Sequence, residues 1–212
     1  MNDMDDMDDQ KPMLTSLNLE FPVWEQTYTV HPLVIVGTIE PDDSPDFAPK
    51  HLAFPMGWQN YFGFVCTPAH GTYQNIKRTK EFTVTYPKPD QVLQVSLTAT
   101  PRCDDNTKPE IKAISKFPAL DVHGYLVEDG YLFLECRLHK IIDGFGENSI
   151  IIGEIVQARA DTDVVRTPSH DDNETIFQHP QIAFIAPNRF AIIDETQAFP
   201  FPANFKKTDL PE

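Results

Sequence analysis

From His31 to Ile39 the chain reads HPLVIVGTI, a nearly continuous apolar run rich in β-branched residues, and this pattern predicts one buried strand. The following EPDDSPDFAP breaks the run with prolines and acids and predicts a loop or wide hairpin connection. KHLAFPMGW, Lys50–Trp58, resumes as a weaker strand, because Pro55 lacks the N–H of a central ladder and suits an edge, bulge or strand end. Tyr61–Cys66 reads as a clearer strand. Tyr73–Lys80 fits about two helical turns, with Thr72 as N-cap, its side-chain oxygen accepting from free first-turn N–H groups. Glu81–Tyr86 alternates as a strand, and Asp90–Ala99 fits a short helix with Val92, Leu93, Val95 and Leu97 on its apolar side. After the loop PRCDDNTKPE the β pattern dominates, over Val122–Val127, Tyr131–Ile142 and Ser149–Ala160. The turn Glu128–Gly130 is expected to join the first two of these as a hairpin.

Residues 1–13 read as a disordered acidic tail, 14–160 as the folded domain, and 161–212 as a C-terminal extension packing on that domain or on a partner subunit. Six or more strands, sparse helix and no regular strand–helix–strand period favour a closed β-barrel over a doubly wound sheet.

Charge narrows the partners. With 17 Lys+Arg against 32 Asp+Glu the net charge is −15, which opposes nucleic-acid binding over most of the surface. No apolar run approaches the roughly 20 residues that span a bilayer, and no basic-then-apolar leader is seen, so a cytoplasmic location is expected. Cys66, Cys103 and Cys136 are too few and too scattered for a disulfide framework. Cys66 and Cys136 sit in strand-like runs, where small buried hydrophobes are the plain reading and a redox role for Cys66 the sharper one.

Several chemistries find no support. There is no Walker loop, and Gly144, Gly146 and Gly153 lack dinucleotide-fingerprint spacing, so GFGENS reads as a glycine-rich hairpin turn. The seven histidines form no compact ligand pattern; His170 with Asp171 and Asp172 is either a cation site or a solvated acidic loop. No G-x-S-x-G elbow is present, and Ser149 has no evident general base. The region Lys50–Lys77 offers more. Thr67 and Thr72 carry hydroxyls, the residues around Gly71 can expose backbone N–H groups, and a helix starting there presents its positive end. Lys50, His51, His70, Lys77 and Arg78 supply positive charge, and Asn75 an amide. Each alone is ordinary surface; together they are what an anion pocket requires. Phe54, Trp58 and Tyr61 could cover a flat ring or fill the core.

Three stretches carry a resemblance. FAPKHLAFPMGW (Phe47–Trp58), CTPAHGTYQNIKRTKEFTV (Cys66–Val84) and LECRLHKIIDGFGENSIIIGEIVQA (Leu134–Ala158) resemble, in that order, the flavin reductase-like family of FMN-binding split barrels, particularly its flavoredoxin-type members. The resemblance covers roughly Leu33–Ala160. It implies a mostly β fold, a split β-barrel of the FMN-binding type with short peripheral helices, forming a homodimer with FMN near the interface. The implied cofactor residues are Lys50, His51, Leu52, Ala53, Phe54, Pro55, Cys66, Thr67, His70, Gly71, Thr72 and Asn75. Thr72 and Asn75 would take the phosphate with help from Lys50 or His51; Ala53–Met56 and Cys66–Thr67 would face the ring. This chain departs from many relatives in carrying Lys50, His51 and Ala53 where serine or threonine is common, and in Gly71. The implied activity is NAD(P)H-dependent hydride transfer through flavin N5 to a flavin, an electron-transfer partner or a small electrophile, with no protein acid or base required. The alternative on the same barrel is an FMN- or haem-related binding or electron-transfer protein without nicotinamide turnover. No residue separates NADH from NADPH.

Overall fold

The computed structural model describes residues 13–167 and 171–202. Most of the expected acidic tail, His170 and the segment Ala203–Lys207 lie outside the described residues. In chain order the elements are α1 (Val23–Gln26), β1 (Thr29–Pro32), β2 (Val34–Ile39), β3 (Pro45–Lys50), β4 (Ala53–Pro55), β5 (Tyr61–Cys66), α2 (Gly71–Thr79) and β6 (Glu81–Tyr86). There follow α3 (Val92–Thr98), β7 (Lys116–Pro118), β8 (Tyr125–Val127), β9 (Leu132–Phe145), β10 (Asn148–Ala160), α4 (Asp172–Gln178), β11 (Gln181–Ala186) and β12 (Arg189–Ile193). A seven-stranded antiparallel sheet in the order β3-β2-β6-β9-β10-β5-β4 forms the half-barrel; β1-β11-β12 and β7-β8 are separate sheets.

The run His31–Ile39 is two strands, not one. Pro32 ends β1, which pairs with β11, and β2 then enters the large sheet between β3 and β6. Its continuous apolar character has a simple cause, since β2 is buried on both faces. Val34 and Val36 point into a core with Phe62, Phe64, Phe82, Cys136, Ile151 and the α2 residues Tyr73 and Ile76. Leu33 and Ile35 point the other way, into a second core with Phe47, Val95, Ile111, Ile114, Val127 and Ile182. In the first core, a Cβ on Gly153 would stand 2.5 Å from the Phe82 ring, so the strand crossing there depends on glycine.

Two further expectations are corrected. The predicted loop at 40–49 contains β3, an edge strand paired with β2 alone, where Pro45 and Pro49 cost no central ladder bonds. The expected hairpin through Glu128–Gly130 is not formed: the strand shrinks to Tyr125–Val127 and pairs with β7. Side chains of β6 decide this. Thr83 Oγ1 donates to the Tyr125 carbonyl (2.6 Å) and Thr85 Oγ1 accepts from the Val127 N–H (3.1 Å), binding β8 across β6 instead of beside β9. The GFGENS segment does turn β9 into β10, with Gly146 at φ 63°.

One buried carboxylate organises the 120–122 loop. Glu135 on β9 is 1 % exposed; it accepts from the N–H groups of Leu120 (2.9 Å), Asp121 (2.6 Å) and Val122 (3.3 Å), and pairs with Arg159 on β10 (3.2 Å).

Candidate functional site

The segment after β3 is held against β5 by backbone bonds. Leu52 O accepts from Val65 N (2.9 Å), and β4 then pairs Ala53 with Phe64 and Phe54 with Gly63. Ala53 is buried under this edge, whereas Leu52, Phe54 and Pro55 face outward. At the far end of β5, Cys66 is buried and Thr67 Oγ1 donates to Asn148 Oδ1 (3.2 Å), tying the turn to the start of β10. The turn closes with His70 N donating to Thr67 O (2.9 Å), and α2 begins at Gly71.

These elements gather Lys50, His51, Cys66 and His70. Burial pushes the Cys66 thiol up, against the Lys50 ammonium and the Tyr73 backbone N–H that favour its thiolate, so it stays protonated. Burial, assisted by Lys50, lowers His70; burial, His31 and Lys50 lower His51. Near neutral pH the cluster is therefore an ammonium with two histidines that resist protonation, next to the first-turn N–H groups of α2.

Two predicted anion ligands are used differently. Thr72 is not the cap: His70 is, with extended backbone and no side-chain cap bond, and Thr72 lies buried in the first turn. Asn75 is 3 % exposed and turned inward, its Nδ2 donating to Thr38 Oγ1 (3.2 Å) and Glu40 Oε1 (3.0 Å) and its Oδ1 accepting from Arg78 (3.4 Å). Arg78 also donates to the Ile39 carbonyl. Asn75 and Arg78 thus clamp α2 to β2. Trp58 is a surface residue, 95 % exposed, while the Tyr61 ring packs edge-on against His139 (5.0 Å).

A residue of the PRCDDNTKPE loop joins this region. Arg102 lies against Gly71, where a Cβ would stand 2.4 Å from its Nη2, and it pairs with Asp46 (2.8 Å) and Glu40. Lys108 completes the group, 3.7 Å from Asp46 Oδ1 and donating to the carbonyls of Phe47 (2.8 Å) and Thr98. The only sequence signal was basic residues recurring through an acidic chain. A cavity of about 610 Å³ opens beside this group, between the β2–β3 turn and residues 102–116. No group of three or more His, Cys, Asp or Glu side chains placed to hold a metal, and no helix long and apolar enough to cross a membrane, occurs among the described residues.

His51 also links the cluster to the β1-β11-β12 sheet. Its ring lies 4.4 Å from that of Phe184 on β11 and 5.7 Å from that of His31 on β1. Because its folded pKa is below the ordinary 6.5, neutral His51 stabilises the fold above that pH, and the contribution is lost as pH falls through the folded value. We expect the melting temperature to drop on acidification below 6.5, and His51→Phe to flatten that dependence. An unchanged slope in the variant would place the acid sensitivity elsewhere.

The profile of the flavin reductase like domain family matches residues 27–178, and the chain belongs to that family. The family is one of flavin-binding oxidoreductases, associated with FMN. Among curated proteins, an uncharacterized protein of Methanothermobacter thermautotrophicus is 26 % identical over 139 residues, 63 % of this chain; the match spans 65 % of that relative's length. Among solved structures, nitrilotriacetate monooxygenase component B from Bacillus cereus aligns with a TM-score of 0.75 at 14 % identity, covering 89 % of this chain and all (100 %) of that one. Flavoredoxin of Desulfovibrio vulgaris (Miyazaki F) aligns with a TM-score of 0.72 at 20 % identity, covering 90 % and 100 %. The fold is the FMN-type split barrel that the three sequence stretches implied.

Proposed function

We propose that this protein binds FMN at the Lys50–Cys66–His70 cluster and passes electrons from a reduced nicotinamide nucleotide to a flavin or another small acceptor. The observation carrying this reading is that the family match, residues 27–178, includes every member of the cluster. The donor set suits the cofactor: one ammonium, His70 and first-turn amides for a phosphate, with the edge from Leu52 to Pro55 offering exposed apolar surface beside it. Bound there, FMN supplies hydride acceptance at N5 and subsequent electron release. The protein's own share is placement. Lys50 and the α2 amides hold negative charge, Leu52 and Phe54 exclude water from one flank, and Cys66, kept as a thiol, packs beneath the turn. A second copy of the chain covers Tyr28, Val30, Phe54 and Trp58, large apolar residues exposed on and near the adjacent strands β1 and β4.

The test is the visible spectrum of protein loaded with FMN, desalted, and then mixed anaerobically with NADH or NADPH. Retained flavin absorbance that bleaches with either nucleotide is the expected result, and names the donor. Retention without bleaching selects the binding or electron-transfer alternative; loss of flavin on desalting removes the tight cofactor site.

A further inference from the structure

Ser149 meets a carboxylate in the fold. Its Oγ donates to Asp143 Oδ1 (2.6 Å), and the same oxygen accepts from the Tyr73 hydroxyl (3.1 Å). This is not a nucleophile with its base, because Ser149 is only 1 % exposed and its hydroxyl is out of a substrate's reach. The contacts instead tie the tip of the β9–β10 hairpin to the Cys66–Tyr73 segment. Asp143 and Ser149 are cross-strand partners, and Ser149 is in turn the partner of Cys66 on β5. Tyr73 stands in the first turn of α2, at the other end of that segment. One residue before Ser149, Asn148 Oδ1 accepts from Thr67 Oγ1 (3.2 Å), so the tip grips the segment near both ends.

The hairpin is irregular where it does this. Its register shifts between Asn148 and Ser149, and Gly144 and Gly146 stand at φ 106° and 63°, an irregularity of the kind that re-aims a side chain. The turn has local bonds of its own: His70 N to Thr67 O (2.9 Å), Gln74 N to His70 O (3.2 Å) and Gln74 Nε2 to Pro68 O (2.7 Å). None of them engages the N–H groups of Gly71 and Thr72, and His70 caps α2 without a side-chain bond. First-turn N–H groups have no intrahelical partner, so their aim follows from how the turn is held. Tyr73 is fixed on three sides. Its ring lies in the first core, Lys77 Nζ stands 5.9 Å from the ring centroid, and its hydroxyl is on Asp143. Desolvation, then the hydrogen bond and charge of Asp143, push that hydroxyl above its ordinary pKa and keep it a donor.

We infer that Asp143 is a positioning residue for the cofactor phosphate: through Tyr73 and Ser149 it holds the Cys66–Tyr73 turn so that the amides of Gly71 and Thr72 converge on one anion. The inference rests on the FMN reading above and extends it to a residue 70 positions from Tyr73, which touches no part of the cofactor. Oriented amides hold an anion well only while supporting hydrogen bonds keep them in place.

Riboflavin is the comparison ligand, because it has the flavin ring and ribityl chain but no phosphate. Fluorescence titration of the full chain with each gives the preference for FMN over riboflavin, and a melting curve accompanies every protein. The wild type should prefer FMN by about tenfold or more, and Asp143→Ala should lose about three- to tenfold of that preference with riboflavin affinity unchanged. Tyr73→Phe, which keeps the ring in the core and removes one bond to Asp143, should lose a smaller part. Asp143→Asn keeps an acceptor oxygen and should restore the preference. Glu135→Ala is the stability control: it lowers the melting temperature away from the turn and should keep the wild-type preference. A folded Asp143→Ala chain with the wild-type preference, or an equal loss in Glu135→Ala, overturns the positioning role and leaves the cofactor reading standing. A wild-type chain that binds FMN no more tightly than riboflavin removes the phosphate assignment itself, and the positioning role with it.

Discussion

Glu135→Ala should lower the unfolding free energy by about 3–5 kcal/mol, the usual cost of removing one partner from a buried ion pair. The carboxylate is the shared acceptor for the amides of Leu120, Asp121 and Val122 and for Arg159, and alanine removes the acceptor from all four donors at once. Water cannot readily replace it at 1 % exposure. For a chain of this size that corresponds to a fall of roughly 6–20 °C in melting temperature. Glu135→Gln keeps an acceptor oxygen while losing the charge, and should recover part of the loss. The measurement is urea and thermal unfolding of the three proteins; a loss under about 1 kcal/mol in the alanine variant would mean that the loop finds other partners. FMN affinity in the folded fraction should not follow the stability, because Glu135 belongs to the β9–β10 side of the sheet and touches no residue of the Lys50 cluster.

The second large effect separates two residues that sequence reading grouped together. Lys50→Met should weaken FMN binding about 10- to 100-fold, since a hydrogen bond to a charged group is worth about 1.5–3 kcal/mol and each 1.4 kcal/mol is tenfold. Asn75→Ala should leave the affinity of folded protein unchanged and cost about 1–3 kcal/mol of stability, because Thr38 and Glu40 lose their donor and α2 loses its clamp to β2. Fluorescence titration of FMN with melting curves for both variants decides the matter. Weakened FMN in a fully folded Asn75 variant, or unchanged FMN with Lys50→Met, would return the phosphate to the position first expected.

How far each feature was legible follows from the range of the forces involved. The burial of β2 was written in a nearly continuous apolar run, and β5, β6 and β10 in runs that the structure keeps to within a residue, whereas β9 continues three residues past the expected Ile142. The inward turn of Asn75 was partly legible too: Thr72, Asn75, Ile76 and Thr79 recur at helical spacing, and buried Ile76 marks their face as the inner one. The failed hairpin at Glu128–Gly130 was not legible, because nothing local says that hydroxyls some 42 residues away will take the β8 backbone.

By itself, then, the sequence determined a mostly β chain, its split-barrel fold class through the family resemblance, and the cluster of polar residues between Lys50 and Asn75. The tertiary structure alone decided which of those groups remain available. Asn75 is spent on Thr38, 37 residues away, and Arg102 on Glu40 and Asp46, 62 and 56 residues away. Apolar periodicity is a local property set by backbone repeat, and it survives in one dimension. Hydrogen bonds and ion pairs are satisfied by whatever partner folding brings within about 3 Å, and that partner is fixed only when the chain closes.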